Sequence, residues 1–270
     1  MQAGRDRQAG ESGRWRWVRR AGLALLEARV GPARAYFTSR VGGVSLPPFD
    51  SLNVGGGLGD READVVENRR RLLLALELGE EAARSVRQVH GCEVWPVGPG
   101  PAPAEPPEAD AMVTARADLA LLMRYADCVP VYLAVVAPRP AVGLAHAGWR
   151  GLAAGVVEAA VSALCGEAGA SPEAVVAAIG PSIGASYQVD ETVMAKMRAR
   201  YAWADGCQDA SGVFDMTGAV RRALTDAGVA SASIVETSER TESPAFFSHR
   251  ASGGRTGRMA AVIRLDGRRP

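Results

Sequence analysis

At 270 residues the chain is long enough to bury its own core, as one large domain or two small ones. Its 47% hydrophobic and 23% charged content is that of a globular protein, which excludes a disordered or fibrous class. A net charge of +1 supplies no basic face for nucleic acid, and no apolar run approaches the ~20 residues of a membrane span.

Residues 1–17 are rich in Arg, Gly and Gln without hydrophobic period, and read as an Arg-rich tail outside the fold. Within it, Arg14, Trp15, Arg16 and Trp17 alternate base and aromatic, which also suits an edge strand or a nucleic-acid arm. The apolar run after Arg19 and Arg20 superficially resembles an export signal, but it is short and interrupted by Glu27 and Arg29. Residues 18–270 read as a single domain.

Residues 34–39 alternate as a strand and lead into a Gly- and Pro-rich loop. Asp60 then opens a helix with Val65, Val66, Leu72, Leu73 and Leu76 on its apolar side and Gly79 as its stop. The stretch "RQVHG" puts Gln88 and His90 at a strand's edge. After a proline-rich loop come four closely spaced apolar runs, "ADAMVT", "LALLMR", "VPVYLAVV" and "AVGLAH", the pattern of a sheet covered on both faces. A glycine turn from His146 to Arg150 feeds a helix to about residue 165. Then follow a strand, a second glycine-rich turn, helices near 191–201 and 216–227, strand "ASIVE" and a last strand "MAAVIRL". The fold class is α/β: a single domain with mixed β-sheets flanked by helices.

Cys92, Cys128, Cys165 and Cys207 form no CxxC pair, and a chain of this size needs no disulfides, which points to reduced thiols and a cytoplasmic setting. The only histidines are His90, His146 and His249. His90, Cys128 and His146 each stand where a strand meets a loop, and thiolate and imidazole are ligands of choice for zinc. Three protein ligands leave a fourth position, at which zinc lowers the pKa of a water towards ~7. Their separations, 38 and 18 residues, match no local zinc-finger spacing. On residues alone a metal site, two hydrogen-bonded histidines and a small buried cysteine all stay open.

The ordered motifs "FTSRVGGVS", "SLNVG", "RQVHG", "ADAMVT", "ADCVPV", "AHAGWRGL", "IGPSIG" and "FFSHR", followed by "TGRMAAVI", span about residues 34–265. Together they resemble the bacterial laccase-domain (YfiH-like) family, formerly multicopper polyphenol oxidases, also described as purine nucleoside phosphorylases and peptidoglycan editing factors. The resemblance implies a YfiH-like α/β sandwich and zinc, rather than copper, held by His90, Cys128 and His146. A four-copper oxidase needs on the order of ten histidines, far more than this chain has.

The resemblance further implies purine nucleosides and phosphate as substrates, while charge and hydropathy give no reason to expect a nucleic-acid or membrane partner. Adenosine, inosine, guanosine or methylthioadenosine would be cleaved to base and ribose-1-phosphate, and adenosine deaminated. Asp127, next to Cys128, is the candidate acid or base, its alternative being to cap a turn or orient a histidine. Arg40, Arg150 and Arg250 stand in motif loops and suit a phosphate by guanidinium forks. Gln88 and Asn53 are candidate contacts to base or ribose, and Phe246 and Phe247 either stack on a purine or belong to the core. Ser182, Ser186, Gln188, Gly57 and His249 depart from residues usual in the family. Two other readings stay open: a metal-free Cys128 nucleophile acting on an amide or ester, and a non-enzymatic domain docked through its tail.

Overall fold

The computed structural model describes residues 14–266, so most of the expected tail, residues 1–13, lies outside the described residues. In chain order the elements are β1 (Arg16–Arg20), β2 (Leu23–Val30), β3 (Ala33–Thr38), α1 (Glu62–Ala75), β4 (Ala83–Ser85), β5 (Val94–Pro96), β6 (Ala111–Thr114), β7 (Ala120–Tyr125) and β8 (Val129–Val135). They continue with β9 (Ala141–Ala147), α2 (Trp149–Ala154), α3 (Val156–Ala168), β10 (Val175–Ile179), α4 (Glu191–Arg200), α5 (Met216–Asp226), β11 (Ile234–Glu236) and β12 (Met259–Leu265).

Two six-stranded sheets result, ordered β1-β2-β3-β12-β7-β4 and β11-β10-β8-β9-β6-β5. Both are mixed, since β4–β7, β5–β6 and β10–β11 pair parallel while the other pairs run antiparallel. Strand alternation shows how they stack. In β8, Val129, Val131, Leu133 and Val135 join the helix-side core with Leu152, Val157, Val161, Leu164 and Val220 of α2, α3 and α5. Tyr132 and Ala134, on the other face, meet Phe37, Leu121, Met123, Met259, Ala261 and Ile263 of the first sheet. The outer face of that sheet carries Ala120, Ala260 and Val262, which pack with Leu72, Ala75 and Leu76. The layers are therefore helix, sheet, sheet, helices. This is the expected single α/β domain of mixed sheets flanked by helices.

The first hairpin differs from the sequence reading. The run resembling an export signal is strand β2, and Arg16–Arg20 pairs with it as the edge strand. Glu27 explains why β1 is arginine-rich: although only 3% exposed, it takes Arg20 at 2.8 Å, Arg16 at 3.0 Å and Arg34 at 3.3 Å. Among the described residues no helix is long and apolar enough to cross a membrane.

Candidate functional site

Adjacent strands bring Cys128 and His146 together. In the antiparallel β8–β9 ladder Val129 faces Ala147 and Pro130 faces His146, so the residue entering β8 lies against the end of β9. Asp127, with φ of +88°, makes the sharp entry that turns Cys128 into this position. His90 arrives from the loop after β4, itself left-handed at φ +61°. The ligand atoms of His90, Cys128 and His146 all lie within 4.8 Å of one another, and the two imidazoles meet edge to face at 4.9 Å between centroids.

Two glycines make room for this convergence. A Cβ on Gly148 would stand 2.9 Å from Cys128 Sγ and 3.1 Å from His90 Cδ2. A Cβ on Gly151 would press the Gly91 carbonyl at 3.0 Å. The "HAGWRG" turn thus carries glycine where a side chain would intrude on the cluster.

Asp110 holds the cluster from behind. It is fully buried; Oδ1 lies 2.8 Å from His146 Nδ1, and Oδ2 accepts the N–H groups of Val89 and Gly91 at 3.0 and 2.7 Å. One carboxylate therefore orients both histidines, and with Nδ1 of His146 occupied, Nε2 is left to face the cluster. Burial works against its charge, yet His146 and the two N–H groups keep Asp110 below the ordinary carboxylate range. Tyr125 packs its ring 5.2 Å from that of His146 and donates its hydroxyl to the Ala145 carbonyl.

The cluster is strongly polarised. Burial opposes ionisation of the Cys128 thiol, but His146 and His90 outweigh it and bring it down to about 6. Burial likewise opposes charge on His146, and the Cys128 sulfur with Asp110 lifts it to about 9. A thiolate and two imidazoles, one braced by a carboxylate, form a donor set suited to a thiophilic divalent ion.

His90 and Cys128 line a cavity of about 300 Å³, with His146 buried beside them. Trp149 and Arg150 enter it from α2, Met216 from α5, Ile183 and Tyr187 from the second glycine-rich turn, and His249 and Arg250 from a loop before β12. Asp127 pins two of these walls. Its carbonyl accepts Ile183 N–H at 2.9 Å, while its carboxylate accepts the Thr241 hydroxyl and the Arg250 N–H, both at 2.7 Å.

The structure sorts the other expected residues by position. Arg150 and Arg250 are exposed on the cavity, their guanidiniums over the rings of Trp149 (4.4 Å) and Tyr187 (5.1 Å). Arg40, Asn53 and Gln88 do not line it. Arg40 pairs with Asp50 at 2.9 Å and lies over Phe247. Asn53 is fully buried and spends its side chain on Gly55, Asp60 and the Arg258 N–H, holding its own turn. Both ends of the Gln88 amide clamp the backbone of Arg124 at 2.8 Å. Phe246 and Phe247 are core residues, closed to a ligand. Gln188 turns its amide to the Ser211 carbonyl. Sequence reasoning passed over Asp110, Trp149, Tyr187 and His249 as site residues. Asp110 stands within a quoted motif, "ADAMVT", but nothing in a lone acid before a strand indicates which imidazole it will meet.

The sequence profile of the family described as multi-copper polyphenol oxidoreductase laccase matches residues 34–266. The chain belongs to this laccase-domain family. It is 42% identical to a purine nucleoside phosphorylase of Streptomyces griseus, over 88% of this chain and 96% of that one. To the purine nucleoside phosphorylase YlmD of Geobacillus stearothermophilus it is 37% identical, over 86% and 89%. Among solved structures, the hypothetical protein YfiH of Bacillus licheniformis superposes with a TM-score of 0.84 at 32% identity, covering 93% of this chain and 99% of that one. YlmD of Geobacillus stearothermophilus gives 0.81 at 33%, with the same coverage. As a laccase-domain member, the chain has two of its three histidines in one three-residue cluster, too few donors for several copper centres.

Proposed function

We propose that this chain is a zinc-dependent purine nucleoside phosphorylase that also deaminates adenosine, acting in a reducing, cytoplasmic setting. Its substrates are adenosine, inosine, guanosine and methylthioadenosine together with phosphate. The observation that carries the reading is the convergence of His90, Cys128 and His146, the first two on the wall of a cavity, in a chain whose relatives bear the phosphorylase name.

The residues fit zinc. Separations of at most 4.8 Å let one ion reach all three with small side-chain movements, Gly148 leaves the space a Cβ would take, and Asp110 fixes the tautomer of His146. Bound there, zinc supplies a Lewis acid and lowers the pKa of a coordinated water. The chain's own side chains do the rest. Tyr187 and Trp149 offer aromatic surface for a purine. Arg150 and Arg250 stand on the cavity with guanidinium edges able to hold an anion. Asp127 already accepts two hydrogen bonds, so it fixes the Arg250 loop first and can take a proton only on a remaining lone pair.

Incubation with adenosine, with and without phosphate and before and after chelation, tests the reading. Adenine and ribose-1-phosphate are expected only with phosphate, and inosine without it. Metal analysis is expected to find about one zinc per chain, largely lost in Cys128→Ala. Absence of adenine, hypoxanthine and inosine under every condition removes the proposal.

One observation favours a second reading. A Cys128 thiol lowered to about 6 beside His146 is the pairing of a metal-free nucleophile, which would act on an amide or ester. A zinc-free protein inactivated by iodoacetamide at Cys128 supports it. Stoichiometric zinc with a protected thiol excludes it.

A further inference from the structure

Arg69, Arg124 and Arg258 meet on the outer face of the first sheet without an ion-pair partner among the described residues. The β7–β12 ladder sets Arg124 opposite Ala260. Arg258, two residues before Ala260, is therefore the diagonal neighbour of Arg124 on the same face. That face is the one α1 covers, where Ala260 and Val262 pack with Leu72. Arg69 lies one turn before Leu72 and reaches the same end of the sheet. Gly55 and Gly56 sit against two of the three: a Cβ on Gly55 would stand 2.7 Å from Arg258 Cγ, and one on Gly56 3.2 Å from Arg69 Nη2.

Each guanidinium spends part of its N–H set on main-chain carbonyls. Arg69 donates to Val54 at 2.9 Å, Arg124 to Val86 at 3.1 Å, and Arg258 to Thr256 and Gly257 at 2.9 and 3.0 Å. Among the described residues none of them closes an ion pair with a carboxylate. The ion pairs along α1 use Arg61, Arg70 and Arg71 instead, and Glu62 approaches Gly56 without pairing with Arg69. Burial, with Arg69 and Arg258 nearby, pushes the Arg124 guanidinium below its ordinary value. Glu27, by contrast, pairs with Arg16, Arg20 and Arg34. Here three half-buried like charges are gathered with no carboxylate in ion-pair contact among the described residues, and only Asp127 and the Cys128 sulfur, from a distance, favour the charge on Arg258.

We propose that Arg69, Arg124 and Arg258 form an oxyanion site that takes a phosphate group. Guanidinium edges not used on carbonyls are the donors a tetrahedral dianion needs. Arg258 immediately precedes the Met259–Tyr125 pair that ends the ladder, Ala126 after Tyr125 lines the cavity of the cluster, and Asp127 and Cys128 on that cavity act on the Arg258 charge, so the two sites adjoin. The phosphate is either free or the monoester of a nucleoside. Preference for the free ion rests on the phosphorylase reading, whereas binding itself does not.

Calorimetry on the full chain in chloride buffer, with inorganic phosphate and separately with adenosine 5′-monophosphate, provides the test. Saturable binding is expected, weakened at least about tenfold in Arg124→Gln and, as a second variant, in Arg69→Gln, and falling as salt rises. Tighter inorganic phosphate identifies the free ion. Tighter monophosphate with the same arginine dependence identifies the ester. A wild-type chain that takes up neither, or two folded variants that bind as wild type does, overturns the site. Wild type that binds phosphate yet forms no ribose phosphate sinks the phosphorylase reading and leaves the site standing. Phosphorolysis by a wild type whose phosphate binding both folded variants retain in full sinks the site and leaves the phosphorylase reading standing.

Discussion

Oδ1 of Asp110 lies 2.8 Å from Nδ1 of His146, while Oδ2 of the same carboxylate takes the two main-chain N–H groups that flank His90. A single buried acid thus sets the ring of one candidate ligand and the loop of another. Asp110→Asn replaces a full acceptor by an amide and loosens both. Metal affinity is expected to fall about 10–100-fold, read by competition with a chromogenic chelator, with the fold retained by circular dichroism. Unchanged affinity would show that the Asp110–His146 contact has no bearing on the metal.

Gly148 tests the same cluster from the front. An added methyl would lie 2.9 Å from the Cys128 sulfur and 3.1 Å from His90, closer than ordinary contact. Gly148→Ala is expected to lower zinc occupancy while the melting temperature of the metal-free protein moves little. A variant that holds zinc as well as wild type would contradict the crowding.

The thiol gives a pH signature. With Cys128 lowered to about 6, alkylation of the metal-free protein is expected to be half-maximal near that pH, well below an ordinary cysteine, and to stay fast above it. Zinc should abolish the reaction. Mass mapping of iodoacetamide adducts across pH 5–9 measures both, and an alkylation midpoint above pH 8 would refute the polarised cluster.

Glu27 makes a stability prediction. Burial raises its carboxyl, but Arg16 and Arg20 outweigh this, and it ends below its ordinary value of 4.5. A depressed folded-state pKa contributes stability that is complete above the unfolded value and is lost as pH falls through the folded one. Glu27→Gln should therefore cost about 1–2 kcal/mol near neutrality, discounted because the arginine ends are solvated. The gap between variant and wild type should shrink as pH falls below the ordinary carboxyl value of 4.5, as thermal melts at stepped pH will show. A gap independent of pH would assign the loss to packing instead.

Period and punctuation made much of the architecture legible from the chain alone. The apolar runs ending in "AVGLAH" and the final "MAAVIRL" became β6 to β9 and β12, and the helices expected near 191 and 216 begin there. Residues 23–30 escaped because an apolar run beside two arginines looks alike as leader or buried strand, until Glu27 is seen to claim those arginines.

Ordered motifs marked His90, Cys128 and His146, since local chemistry at a strand end is written in neighbouring residues. Whether Asn53, Gln88 and Arg40 face a ligand or brace a turn was not written there. That depends in part on contacts remote in sequence, with Arg258 for Asn53, Arg124 for Gln88 and Phe247 for Arg40. For the same reason only the tertiary structure joined Asp110 to His146, and only the β7–β12 register set Arg124 beside Arg258.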